Sequence, residues 1–119
     1  MIKNFLLVGL GGALGSMLRY GMNLLGAYFS FTALIPTFLV NCVGSFLIGF
    51  FASFVNKDSV LLFCTVGLCG GFTTFSTFSS QSMNLIQSGK IVNAFVYIIL
   101  TLLVCVFGSW TGFWLGTKN

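Results

Sequence analysis

The sequence predicts an all-α integral membrane protein with four transmembrane helices, the third broken near its middle. Three observations carry that expectation. The chain is 57% hydrophobic and only 5% charged, its apolar residues fall into four long runs between short polar turns, and the stretch GGFTTFSTFSSQ interrupts the third run between Gly70 and Gln81. An ordinary water-soluble domain carries about 25% charged residues, which excludes one here. A hydrocarbon core about 30 Å thick takes about 20 apolar residues per helix. With 119 residues, the chain therefore crosses four times at most and forms a single domain, 1–119.

The first run, residues 4–28, places Gly11, Gly15 and Arg19 four apart and hence on one helical face. A polar turn precedes Pro36, which is compatible with a first helical turn, and opens the second run, 34–55. Its polar face is Thr37, Asn41, Ser45 and Gly49. The Asn56-Lys57-Asp58 corner leads to the third run, 59–88, in which Gly67, Gly70 and Gly71 precede Thr73 and Thr74. Permissive backbone followed by weak helix formers predicts the break. Ser88-Gly89-Lys90 then turns the chain into the fourth run, 91–117, which carries Tyr97, Thr101, Cys105 and Ser109 on one stripe, flanked by Gly108, Gly112 and Gly116. Such short connections imply antiparallel neighbours in a bundle.

The glycine stripes read as close helix packing, because small residues four apart let backbones approach in lipid. A faint internal echo accompanies them: VGLGGALGS at 8–16 resembles VGLCGGFTT at 66–74, and VGSFLIGF at 43–50 resembles FGSWTGF at 107–113. Asn41 and Arg19 are different, since an amide or guanidinium inside a bilayer is costly unless it finds a partner or water.

Charge and chemistry narrow the function. Lys3, Arg19, Lys57, Lys90 and Lys118 oppose only Asp58 for a formal +4, and their scatter provides no nucleic-acid-binding face. Lys3, Lys57 and Lys118 lie on one side of the four runs, and Lys90 on the other with Arg19 towards it. That bias barely specifies an orientation. Two outcomes stay open: one orientation with few charges, or insertion both ways round with oppositely oriented copies pairing. Cys42, Cys64, Cys69 and Cys105 lie inside apolar runs without metal-site spacing and read as small core residues. The chain has no histidine, and no acid lies inside a run. The tools of acid–base and nucleophilic catalysis are missing, so the protein is not an enzyme.

The break supplies what the rest lacks. Non-helical backbone at membrane depth must be buried in protein or line a cavity, and freed carbonyls there suit a small cation such as Na⁺. Phe75 and Phe78, three apart, project from nearly the same face. An aromatic ring is positive at its edge, so ring edges attract a small anion without trapping it as a full charge would. Ser76, Thr77, Ser79 and Ser80 add hydroxyl donors. The alternative is a helix kinked for packing, with phenylalanines as filler.

Four motifs then occur in order over essentially the whole length: GGALGSMLRY at 11–20, PTFLVNCVGSFLIGF at 36–50, GLCGGFTTFSTFS at 67–79 and the Tyr97/Thr101 stripe. In these the chain resembles the Fluc, or CrcB-type, small fluoride channels of bacteria. The resemblance implies four helices per subunit in an antiparallel dual-topology homodimer with two pores, multi-pass in the inner (cytoplasmic) membrane. The implied activity is a fluoride-selective channel that exports F⁻ passively and confers fluoride resistance. By position, Phe75 and Phe78 are the implied pore rings and Asn41 the pore amide. Thr37, Tyr97 and Thr101 are polar pore positions, Ser76 and Ser79 join them as hydroxyls, and Arg19 is the vestibule arginine. The main-chain carbonyls of Gly70 and Thr73 are the implied ligands of a structural Na⁺ at the dimer centre. Cys105 departs from the pattern where a hydroxyl is expected, and Phe72 is bulkier than its place suggests. A rival reading, a small multidrug transporter of similar architecture, requires a carboxylate in the first helix, and none is present.

Overall fold

In a computed structural model that describes residues 1–118, every regular element is helical. The order is α1 (Ile2–Tyr28), α2 (Leu34–Phe54), α3 (Asp58–Leu62), a π-helical stretch (Phe63–Cys69), α4 (Gly70–Phe72), α5 (Phe75–Gln87) and α6 (Ile91–Lys118). Taken together, Asp58–Gln87 is one span, and with α1, α2 and α6 it makes four helical segments long and apolar enough to cross a membrane. Their bounds fall within a few residues of the four runs read from sequence. The break is where the sequence predicts it. The π-helical stretch ahead of it is an addition that composition does not signal.

Local chemistry fixes the turns. Pro36 sits in the first turn of α2, where its missing N–H leaves no hydrogen bond unmade, and Gly26 of α1 leaves room for its ring. The last turn of α5 closes with Gly89 N–H donating to the Ile86 carbonyl at 3.1 Å and Lys90 N–H to Leu85 at 2.9 Å. This is a Schellman ending, and Gly89 takes the left-handed conformation it needs, with φ +79.

Two glycine seams hold the spans together. In the first, α1 lies against the π-helical stretch and α4: a Cβ on Gly11 would sit 2.6 Å from the Phe63 carbonyl oxygen, and one on Gly71 would sit 2.5 Å from that of Gly12. In the second, α2 lies against α6. A Cβ on Gly49 would strike the Ser109 carbonyl and one on Gly112 the Phe46 carbonyl, while Ser109 Oγ donates to the Ser45 carbonyl at 2.8 Å. The two sequence echoes are these two seams. Each pair of similar segments packs on itself, so the likeness follows from a shared demand for small residues at a close crossing.

Candidate functional site

The site is built around the break. Phe72 ends α4, Thr73 and Thr74 adopt extended backbone, and Phe75 begins α5. Breaking a helix frees carbonyls on one side and N–H groups on the other, and lipid can satisfy neither. Three side chains take up the freed groups. Thr74 caps α5 by accepting from the Thr77 N–H at 3.2 Å. Asn41 of α2 clamps Thr74 at both ends: its Oδ1 accepts from the Thr74 N–H at 2.8 Å, and its Nδ2 donates to the Thr74 carbonyl at 3.1 Å. From the other flank, Arg19 Nε donates to the Gly71 carbonyl at 3.1 Å. The two polar residues whose burial in a span demanded partners thus both find them at the break.

This arrangement has an electrostatic consequence. The Thr74 N–H is diverted to Asn41, so the Gly70 carbonyl, which that N–H would meet in a continued helix, is released. The positive end of the α5 dipole lies beside Phe75.

A cavity of about 280 Å³ opens against the break, lined by Asn41, Thr73, Phe75, Phe78, Thr101 and Cys105 among others. Phe78 is buried, with its ring 5.7 Å from that of Phe75 at 52° and 5.3 Å from that of Tyr97 at 50°. Tilted rings turn edges as well as faces to their neighbours. Phe75 is 75% exposed on the surface of the single chain. Thr101 is only 4% exposed, and its Oγ1 has no hydrogen-bond partner. Buried hydroxyls are almost always paired, so a free one in a cavity wall marks a place where a guest can be held. The cavity lining carries hydroxyl and amide groups and two aromatic rings but no ionised side chain.

The structure distributes the sequence-predicted residues unevenly. Asn41, Phe75, Phe78, Thr101, Gly70 and Thr73 line the cavity together. Thr37 and Tyr97 lie off its lining and are joined by a residue that the sequence reading did not single out: Tyr97 Oη donates to Gln81 Oε1 at 2.8 Å, and Gln81 Nε2 donates to Thr37 Oγ1 at 3.0 Å. Gln81 is an uncharged amide in an apolar span, three residues from Phe78, and the reasoning applied to Asn41 would have found it. It also borders a second opening of about 210 Å³, shared with Asn84, Ser88 and Lys90. Ser76 and Ser79 are exposed on α5 and do not line the cavity; Ser76 Oγ comes only within 3.4 Å of Thr74 Oγ1. Arg19 lies behind the break. Gly44 of α2 makes room for the Thr73 methyl at the break, and the Phe72 ring packs beside it, 3.4 Å from where a Cβ on Gly44 would lie. Cys105 Sγ, in place of a hydroxyl, lies 3.9 Å from Cys42 Sγ.

Comparison with known proteins is consistent along nearly the whole chain. Residues 6–113 match the family profile described as CrcB-like protein, Camphor Resistance (CrcB). A protein of Campylobacter jejuni named fluoride-specific ion channel FluC is 42% identical over 118 residues, covering 95% of this chain and 97% of that protein. Proteins of the same name from Flavobacterium psychrophilum and Phocaeicola vulgatus are 39% and 41% identical. The first match covers 93% of this chain and 94% of that protein, the second 96% and 98%.

Proposed function

This chain belongs to the CrcB-like family, and from that premise we propose that it is a fluoride-selective ion channel through which F⁻ leaves the cell passively. The observation that carries this reading is the cavity at the break, where a buried Thr101 hydroxyl has no partner beside two tilted phenylalanines and no ionised group.

The physical problem is dehydration. Moving a carboxylate-sized ion from water into a medium of low dielectric costs on the order of 20 kcal/mol by the Born estimate, and smaller fluoride costs more. Each residue replaces part of the lost water. Lys90 and Gln81 border the opening at one end, where a positive potential concentrates anions. Asn41 Nδ2 has two hydrogens and uses one on Thr74, so the second is free for the ion. Thr101 Oγ1 offers an unused hydroxyl, and the edges of Phe75 and Phe78 supply weak positive potential. Because no donor lining the inner cavity is ionised, the ion is held there loosely enough to leave. Arg19 and the Asn41 clamp keep the break open, and Thr37, Gln81 and Tyr97 hold the ring of Phe78 from behind.

The channel works as an antiparallel dual-topology homodimer with two pores in the inner membrane. Two features support this: the scattered lysines give little orientation bias, and Phe75 is three-quarters uncovered in a single chain. A second copy would cover it. The released Gly70 carbonyl suits a structural Na⁺ at the centre of that dimer, together with the carbonyl of Thr73, since both are hard oxygen donors. A Cβ on Gly70 would meet nothing closer than the Thr65 carbonyl at 3.7 Å, so this face is open. Bound there, Na⁺ would supply a fixed positive charge, and the chain's part would be to present the Gly70 and Thr73 carbonyl oxygens to it. By shedding fluoride in this way, the protein confers fluoride resistance.

The test is fluoride efflux from liposomes containing the purified protein, followed with a fluoride electrode under valinomycin, with chloride run in parallel. Fast fluoride release without chloride release is expected. Equal release of both ions, or of neither from well-folded protein, refutes the reading.

A further inference from the structure

We propose that Cys42 and Cys105 form a two-coordinate site for a soft divalent metal ion, typified by Hg²⁺, between α2 and α6 at the edge of the cavity. The two Sγ atoms lie 3.9 Å apart. Their helices are pinned together by the close contacts of Gly49 and Gly112 and by the Ser109–Ser45 hydrogen bond. Neither cysteine is in a disulfide and both are partly exposed. Cys105 lines the cavity, so an ion there reaches the pair from its open side.

Geometry and charge select the ion. A metal held in line between two sulfurs separates them by twice a metal–sulfur bond of about 2.3 Å, so this pair must open by roughly 0.7 Å. Rotation of either side chain supplies that. Thiolates are soft donors and favour soft ions. Each thiol loses a proton to water in the cavity as its sulfur bonds the metal, so two thiols and one divalent ion give a neutral S–metal–S bridge and two released protons. A monovalent soft ion on the same pair leaves a net negative charge, which an apolar wall penalises. Ions that need three or more protein ligands are excluded, because no group of three His, Cys, Asp or Glu side chains is placed to hold a metal among the described residues. A disulfide would require the sulfurs to close to about 2.0 Å and an oxidant to take two electrons.

Cys105 is one turn from Thr101 on the same face of α6. Resting on the reading of this cavity as the anion path, a bridging metal narrows that path and stops fluoride. The experiment uses the full chain in liposomes with HgCl₂ as probe. Binding is measured by sulfur-to-metal charge-transfer absorption and by competition with glutathione, and fluoride efflux is measured on the same vesicles. The expected result is one tightly held ion per chain. Cys42→Ser and Cys105→Ser should each weaken it about 100-fold or more, the loss expected when a second, tethered ligand is removed. Cys64→Ser should leave it unchanged. If Cys42→Ser fails to assemble, Cys42→Ala removes the same thiol without adding a hydroxyl. Equal affinity in wild type and Cys42→Ser, or an affinity moved by Cys64→Ser, overturns the site. Efflux lost on metal addition in wild type but kept in Cys42→Ser supports the block, whereas tight binding with undiminished efflux overturns it. Absence of fluoride efflux before any metal is added overturns the channel reading instead, and the binding measurement still decides the site.

Discussion

Replacing Asn41 tests the central structural claim, that one side chain closes the backbone gap at the break. Asn41→Leu keeps the branched shape of the side chain and removes both hydrogen bonds to Thr74, at 2.8 and 3.1 Å. It leaves the Thr74 N–H and carbonyl without a protein partner. Each buried polar group stranded in this way costs about 1–3 kcal/mol, so the pair costs about 2–6 kcal/mol. Thr74 borders the cavity, and water entering there recovers part of the loss, which places the expectation near the lower end, about 2–3 kcal/mol. A loss of 2 kcal/mol shifts the folded-to-unfolded ratio about 30-fold. Asn41→Ala should cost more than Asn41→Leu, because it adds an empty space to the same polar loss. Reversible unfolding in mixed detergent micelles, followed by the fluorescence of Trp110 and Trp114, measures both. If neither variant loses more than about 0.5 kcal/mol, within the scatter of an ordinary surface substitution, the clamp does not support the break and the reasoning fails.

Three further outcomes follow from the same geometry. Phe78→Ile keeps an apolar core filler but removes the ring edge; it is expected to abolish fluoride efflux while its size-exclusion profile matches that of wild type, and efflux at the wild-type rate would rule out the ring-edge role. Thr101→Val removes the unpaired buried hydroxyl, so stability in detergent should rise by about 1 kcal/mol while fluoride efflux slows, and a loss of both would mean that the hydroxyl supports the fold instead. Gly112→Ala directs a methyl at the Phe46 carbonyl and should cost about 1–3 kcal/mol of overpacking. Gly108→Ala, whose methyl would meet nothing closer than 3.7 Å, should unfold like wild type in the same titration.

What the sequence determined by itself follows from local rules. Four apolar runs, their short polar connections and the glycine-threonine cluster fix the spans and the position of the break, because hydropathy and helix propensity act over a few residues at a time. The four-residue spacing also places Thr37, Asn41, Ser45 and Gly49 on one face of α2, and Tyr97 and Thr101 on one face of α6. The cost of a polar group in lipid required that Asn41 and Arg19 find partners. Which partners they found was a matter for the tertiary structure. Thr74 lies 33 residues from Asn41 and Gly71 lies 52 from Arg19, and no periodicity connects positions so far apart. The orientation of α5 was equally hidden. A π-helical stretch and two extended residues change the rotation of the chain before Phe75, so no helical face carries through the break. Phe78 therefore turns inward against Tyr97 while Ser76 and Ser79 turn outward, and Gln81 becomes the link between Thr37 and Tyr97. The same limit applies to Cys42 and Cys105, which read as separate core residues along the chain. Only the close crossing of α2 and α6 brings their sulfurs together, because the distance between two helices is set by the packing of both faces at once.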